Sequence, residues 1–205
     1  MTAQPHTTPA ESLTTIEALL QTDVSPYITP LLEAETIQQR IEALAQDINA
    51  TYAETPYLTV LCVLKGAYPF MSDLVKHLKM PCRVEFIRVS SYGNSTSSSG
   101  KVKPVDLSLP SLEGHPCLLI EDIVDTGLTL QFLQQYLQTM HRPASLKTAV
   151  LLDKPTARKP ETESVRPDFV GFAIDNQFVI GYGLDYCGYF RNLPYIAVYS
   201  GPLVV

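Results

Sequence analysis

The chain has 205 residues, enough for one medium-sized domain or one domain with an appended segment, and too few for two full catalytic domains. Apolar residues make up 45% and charged residues 18%, so the chain can bury a real core and lies outside the disordered range. A net charge of −6 disfavours a non-specific grip on nucleic acid, which needs a basic surface, so any anion site must be local. The charge is also lopsided. Residues 1–50 carry seven acids against Arg40 alone, and residues 51–205 balance 14 against 14. Cys62, Cys82, Cys117 and Cys187 are widely spaced and form no C-x-x-C pair, which points to buried free thiols in a reducing compartment. With no basic-then-apolar leader and no apolar run long enough to span a bilayer, a cytoplasmic address without a membrane partner is the expectation.

Residues 1 to about 30, rich in Thr, Pro, Ala and Ser, read as an extension with little structure of its own, mobile or draped, ahead of a single domain over residues 31–205. From Glu35 to Asn49 the positions Ile37, Ile41, Leu44, Ala45 and Ile48 recur at helical spacing. Leu58 to Leu64 reads as a strand buried on both faces, followed by the turn Lys65-Gly66-Ala67 and a helix from about Pro69 to Leu78. A strand from Arg83 to Val89 leads into Ser90 to Gly100, a tract of small polar residues that reads as a lid. The strand Cys117 to Ile120 then runs into Glu121 to Thr129 and a helix with Leu130, Leu133, Tyr136, Leu137 and Met140 in register. Further strands fall near Leu146 to Leu152, Asp168 to Ile174, Phe178 to Ile180 and Tyr195 to Tyr199. The alternation predicts an α/β fold: a mostly parallel twisted sheet flanked by helices, with a smaller antiparallel addition from the later strands.

Ligands of open α/β sheets bind beyond the carboxyl ends of the strands, so the informative segments are Lys65-Gly66, Ser91-Tyr92, Glu121 to Thr129, and Lys154. Thr126, Gly127 and Thr129 at a helix start offer hydroxyls and free amides, which suits a phosphate. Glu121 and Asp122 close a buried strand, where carboxylates are costly as filler but fit vicinal ribose hydroxyls or a Mg²⁺ bridging to them. A phosphorylated sugar satisfies both. No G-x-x-x-x-G-K-[ST] occurs, and Gly181-Tyr182-Gly183 lacks the further glycine of a dinucleotide fingerprint, so ATP hydrolysis and NAD binding lose support.

The block Ile120-Glu121-Asp122-Ile123-Val124-Asp125-Thr126-Gly127 resembles the phosphoribosyl-diphosphate signature of type I phosphoribosyltransferases. Val63 to Ala67, Ser91 to Asn94, Leu151 to Pro155, Pro167 to Phe172, Phe178 to Tyr186 and Arg191 to Tyr195 extend the resemblance to bacterial-style hypoxanthine-guanine phosphoribosyltransferases, over about residues 35 to 200. That resemblance implies the type I phosphoribosyltransferase fold with a small hood of N- and C-terminal segments. It implies transfer of ribose 5-phosphate from phosphoribosyl diphosphate to N9 of a 6-oxopurine base, with Mg²⁺ as cofactor and a homodimer or homotetramer as the assembly.

The resemblance also distributes roles. Asp125, Thr126, Gly127, Leu128 and Thr129 hold the 5-phosphate, Glu121 and Asp122 the ribose hydroxyls and metal, and Asp125 is the general base at purine N7. Lys154 donates to O6, Phe178 stacks on the ring, Val179 meets its far edge through the backbone, and Asp185 joins the purine site and the Mg²⁺ ligands. Lys65 and Gly66, beside a non-proline cis peptide, take the diphosphate with Arg191, while Ser91 and Tyr92 close as a lid. Without the resemblance Lys154 reads as solvated surface and Phe178 equally well as core. The rival reading is a phosphoribosyltransferase-like nucleotide-sensing regulator without catalysis. It calls for a basic surface that the acidic N-terminus does not supply, and both Asp125 and Lys154 are present. Xanthine as the base stays open, whereas Lys154 speaks against adenine.

Overall fold

A computed structural model describes residues 15–91, 102–106 and 109–203. After a short helix α1 (Ile16–Leu20) and one 3-10 turn come β1 (Ile28–Leu32), α2 (Ala34–Thr51), β2 (Leu58–Leu64), α3 (Tyr68–Val75), β3 (Cys82–Ser91) and β4 (Val102–Asp106). Then follow β5 (Pro116–Val124), α4 (Leu128–Tyr136), β6 (Ser145–Asp153), β7 (Phe169–Ala173), β8 (Val179–Ile180) and β9 (Ile196–Tyr199). Strands β3, β2, β5, β6 and β7 form, in that spatial order, a five-stranded parallel sheet, and β4 adds an antiparallel edge beyond β3.

The core follows from strand periodicity. Val60, Cys62, Leu118, Ile120 and Leu151 face α2 and α3, while the intervening Leu61, Val63, Leu119 and Val150 face α4. Each central strand is thereby apolar on both faces, which is why β2 reads as a nearly continuous apolar run broken only by the buried Thr59. On α2 the buried side chains Ile37, Ile41, Leu44, Ala45 and Ile48 form the expected stripe, and the helix outruns its pattern by a residue or two at each end. In contrast α3 stops at Val75, three residues short of the expected Leu78.

The expected hood of N- and C-terminal segments is present, and its N-terminal part carries more order than its sequence suggests. Residues 16–30, within the stretch expected to carry little structure, supply α1 and most of β1, and β1 pairs with β9 in a three-stranded antiparallel sheet ordered β1-β9-β8. The fully buried Leu19 packs with Ile180, Tyr186, Ala197 and Tyr199, a burial that contributes about 1.5–3 kcal/mol for such a side chain. The weak apolar patch around Leu19 has only partly buried neighbours nearby in sequence, Ile16, Val24, Tyr27 and Ile28. Its fully packed partners arrive about 160 to 180 residues later, so the local pattern understates its order. The strand at 169–173 joins the main sheet beside β6 and not the antiparallel addition, and β4 was not anticipated.

Candidate active site

From β2 the chain runs to β3 on one side and later to β5 on the other, so the carboxyl ends of β2 and β5 open a crevice at the point where strand order reverses. The two most informative loops leave these two strands. β5 is longer than the sequence implied. Pairing of Glu121 with Val150, Ile123 with Leu152 and Val124 with Asp153 carries it through the acidic residues, because sheet pairing in the interior outweighs their polarity. Glu121 is therefore buried inside the strand and Asp122 is partly buried. Burial, with the charge of Asp122, pushes the Glu121 carboxyl up to about 8. Burial likewise pushes Asp122 up to about 6, aided by Asp185 and opposed by the amide of Ile123, which donates to Asp122 Oδ1 at 2.9 Å, and by Arg191.

After Val124 the chain turns through Asp125 and Thr126 to Gly127, whose φ of +82° favours glycine, and α4 begins at Leu128. The first amides of a helix have no partner within it, so this turn presents N–H groups where the helix dipole is positive. Residues Glu121 to Gly127 and Thr129 line one cleft of about 280 Å³ with Val63 and Val89. A larger hollow of about 620 Å³ lies at the opposite, amino-terminal edge of the sheet, between the end of α2 and Lys79 to Pro81, and carries no acid and no helix start.

Lys154 begins the segment after β6. Its amide donates to the Val124 carbonyl at 2.9 Å, and its Nζ donates to Asp125 Oδ2 at 3.3 Å. Thus the two residues assigned to the chemistry, the base at N7 and the donor to the neighbouring keto oxygen, meet in space. A second cleft of about 450 Å³ is lined by Pro155, Thr156, Ile174 and Gln177, sequence neighbours of Lys154 and Phe178. Phe178 is 43% exposed, which removes the core reading, and its ring is held edge-on by Tyr186 at 5.8 Å and Tyr199 at 6.3 Å. Val179 is buried in β8 and pairs with Val198.

The diphosphate candidates are equally close-knit. The Leu64–Lys65 peptide is cis. A Cβ at Gly66 would run into the Asp122 carboxylate, and one at Gly183, where φ is +98°, would run into the Gly66 carbonyl. Arg191 Nη1 donates to the carbonyl of Gly183 itself at 2.5 Å and Nη2 to Asp185 at 2.6 Å, while Asp185 also accepts the Gly188 amide at 2.6 Å. Lys65-Gly66, Asp122, Asp185 and Arg191 therefore surround one spot. Ser91 ends β3, and Tyr92 with the rest of the expected lid lies outside the described residues.

Sequence reasoning missed several supports. Arg158, Asp153 and Thr162 pack beneath the Gly127 turn. Tyr182 donates to Asp73 at 2.5 Å, and Gln38 to the same carboxylate at 2.8 Å, tying the loop around Gly183 to α2 and α3. The available signal was Asp153, an acid closing a buried strand, which needs a cation that Arg158 supplies five residues on.

The fold and this crevice define a phosphoribosyl transferase domain, and the family of that description matches residues 28–187. Among curated relatives, the hypoxanthine-guanine phosphoribosyltransferase of Bacillus subtilis is 45% identical over 168 residues, 82% of this chain and 91% of that protein. The chain belongs to the hypoxanthine-guanine phosphoribosyltransferase family. A solved hypoxanthine phosphoribosyltransferase of Staphylococcus aureus is similar at a TM-score of 0.78 and 35% identity, over 91% of this chain and 97% of that one. Another, from Trypanosoma cruzi in complex with the product IMP, is similar at 0.73 and 43%, over 83% and 93%.

Proposed function

We propose that this chain is a purine-salvage enzyme that transfers the 5-phosphoribosyl group of phosphoribosyl diphosphate to N9 of hypoxanthine or guanine, giving IMP or GMP and diphosphate. The observation that carries the reading is the meeting of Lys154 with Asp125 at the mouth of the amide-bearing turn. The names of the relatives and the IMP complex of the Trypanosoma cruzi protein support the same reaction. A non-catalytic regulator is not favoured, because both residues assigned to the chemistry stand in one site.

In this reading the turn from Asp125 to Thr129 binds the 5-phosphate through amides and hydroxyls. Glu121 and Asp122 orient the ribose diol. Lys154 donates to O6 of the base and Phe178 covers its face, so the base is held with N9 toward the sugar. As the N9–C1′ bond forms and the C1′–diphosphate bond breaks, Asp125 accepts the proton from N7. Arg191 and the Lys65-Gly66 peptide receive the departing diphosphate.

The residues also fit Mg²⁺. Asp122 and Asp185 are hard oxygen donors near one another, and the upward push on Asp122 is the penalty a cation would relieve. Mg²⁺ commonly takes one or two carboxylates and completes its shell with substrate oxygens and water. Asp122 and Asp185, with Glu121 behind them, would hold it, and charge neutralisation on diphosphate is what it supplies when bound. The finer parts of the proposal are a homodimer or homotetramer, supported by the family resemblance, and a cytoplasmic setting, supported by four free thiols. No helix among the described residues is long and apolar enough to cross a membrane.

The test is product formation from hypoxanthine, guanine, xanthine and adenine with phosphoribosyl diphosphate and Mg²⁺. Turnover of the first two and no more than a trace with adenine is expected. Absence of turnover with every base would leave a binding protein.

A further inference from the structure

Arg158, in the segment after β6, sits beneath both halves of the site with a side chain only 4% exposed. Its Nη1 reaches the main-chain carbonyls of Val124 at 2.9 Å, Asp125 at 2.5 Å and Lys154 at 3.2 Å, and its Nη2 bonds the Asp153 carboxylate. Thr162, fully buried, continues the row: its hydroxyl donates to the Thr126 carbonyl, which the Lys159 amide also meets at 3.4 Å. Three successive carbonyls, 124 to 126, are thus drawn toward one segment.

A trans peptide is planar, with its N–H directed opposite to its C=O. Drawing those three oxygens down therefore aims the N–H groups of Asp125, Thr126 and Gly127 the other way, on a turn that lines the cleft. Gly127 rests on the same two side chains, since a Cβ there would stand 3.1 Å from Arg158 Cδ and 3.0 Å from Thr162 Cβ. Because Arg158 also holds the Lys154 carbonyl, one guanidinium links the turn to the residue paired with Asp125.

We propose that Arg158 and Thr162 are positioning residues for the transfer. Thr162 aims the amide row at the 5-phosphate, and Arg158 keeps that row in register with Lys154, so that the phosphate and purine ends of the reactants are held at a set separation. The proposal rests on reading Asp125 to Thr129 as the phosphate turn. A lysine cannot replace the guanidinium, because one ammonium cannot stand both at the Nη1 position, beside the carbonyls, and at the Nη2 position, on the Asp153 carboxylate.

The experiment compares equilibrium affinities for GMP and for guanosine, which lacks the phosphate, together with KM and kcat, at a temperature below the melting point of every variant. Thr162→Val should lower GMP affinity about tenfold while leaving guanosine affinity unchanged, and Thr162→Ser should restore it. Arg158→Lys should lower both affinities about tenfold and raise KM for both substrates, because turn and purine side drift together. Should Arg158→Lys fail to fold, Arg158→Gln combined with Asp153→Asn removes the buried charges together and is read in the same way. Melting temperatures that fall while affinities and KM stay at wild-type values would overturn the proposal, as would a serine variant no better than the valine one. Wild-type protein binding GMP no more tightly than guanosine would instead sink the phosphate-turn reading, and the proposal with it.

Discussion

The ammonium of Lys154, on a side chain 6% exposed, stands 3.3 Å from the carboxylate of Asp125, which is 49% exposed. O6 and N7 are neighbours on one edge of a 6-oxopurine, so a donor and an acceptor side by side match the keto oxygen and the N7 proton. One partner is buried where its aim is held, and the other faces the crevice where a proton can be passed.

Asp125→Asn keeps the shape and removes the proton acceptor. It should lower kcat by about 10²–10⁴-fold while GMP affinity changes little, as single-turnover kinetics and equilibrium binding would show. A kcat near wild type would transfer the base role elsewhere.

Lys154→Ala removes the donor from the keto oxygen without leaving a buried charge unpaired, since Asp125 is half-exposed. In a competition assay, kcat/KM for hypoxanthine should fall by about 10–100-fold, with little change in the trace rate for adenine. Equal losses for both bases would mean that Lys154 does not read O6.

Gly127 and Gly114 share the left-handed region, with φ of +82° and +75°, but differ in surroundings. A Cβ at Gly114 meets open space, while one at Gly127 meets Thr162 and Arg158. Both alanine variants should cost about 1–3 kcal/mol of stability in a denaturant titration. Gly127→Ala alone should also raise KM for phosphoribosyl diphosphate. A kinetic effect of similar size in Gly114→Ala would remove the turn's special role.

Three cysteines belong to the sheet strands, but Cys187, expected to be buried like them, is exposed. Burial, reinforced by the charge of Asp122, pushes the Cys62 thiol up to about 12, and burial pushes Cys117 up to about 11. The thiolate is the reactive form, and raised values leave almost none of it at pH 8. Iodoacetamide on the native protein should therefore label Cys187 first and spare Cys62 and Cys117 until denaturant is added, as peptide mass spectrometry would register.

The readable parts of this chain are those whose physics is local. An apolar run at 58–64 marks a doubly covered strand, the recurrence from Ile37 to Ile48 marks a helix face, and two acids followed by Asp-Thr-Gly mark the strand-to-helix turn proposed to take the phosphate. Sequence order also put the loops after β2 and β5 on the same side of a parallel sheet, where a crevice must open. Tertiary structure decided what depends on partners distant along the chain. Ile28 pairs with Tyr199 and gives order to a segment that looked featureless, and Val150 to Asp153 extend β5 through Glu121 to Val124. Arg158 acquires its place from carbonyls more than thirty residues upstream. Main-chain oxygens are the same in every residue and leave no trace in side-chain patterns, so a contact made to them becomes visible once the fold has brought the two segments together.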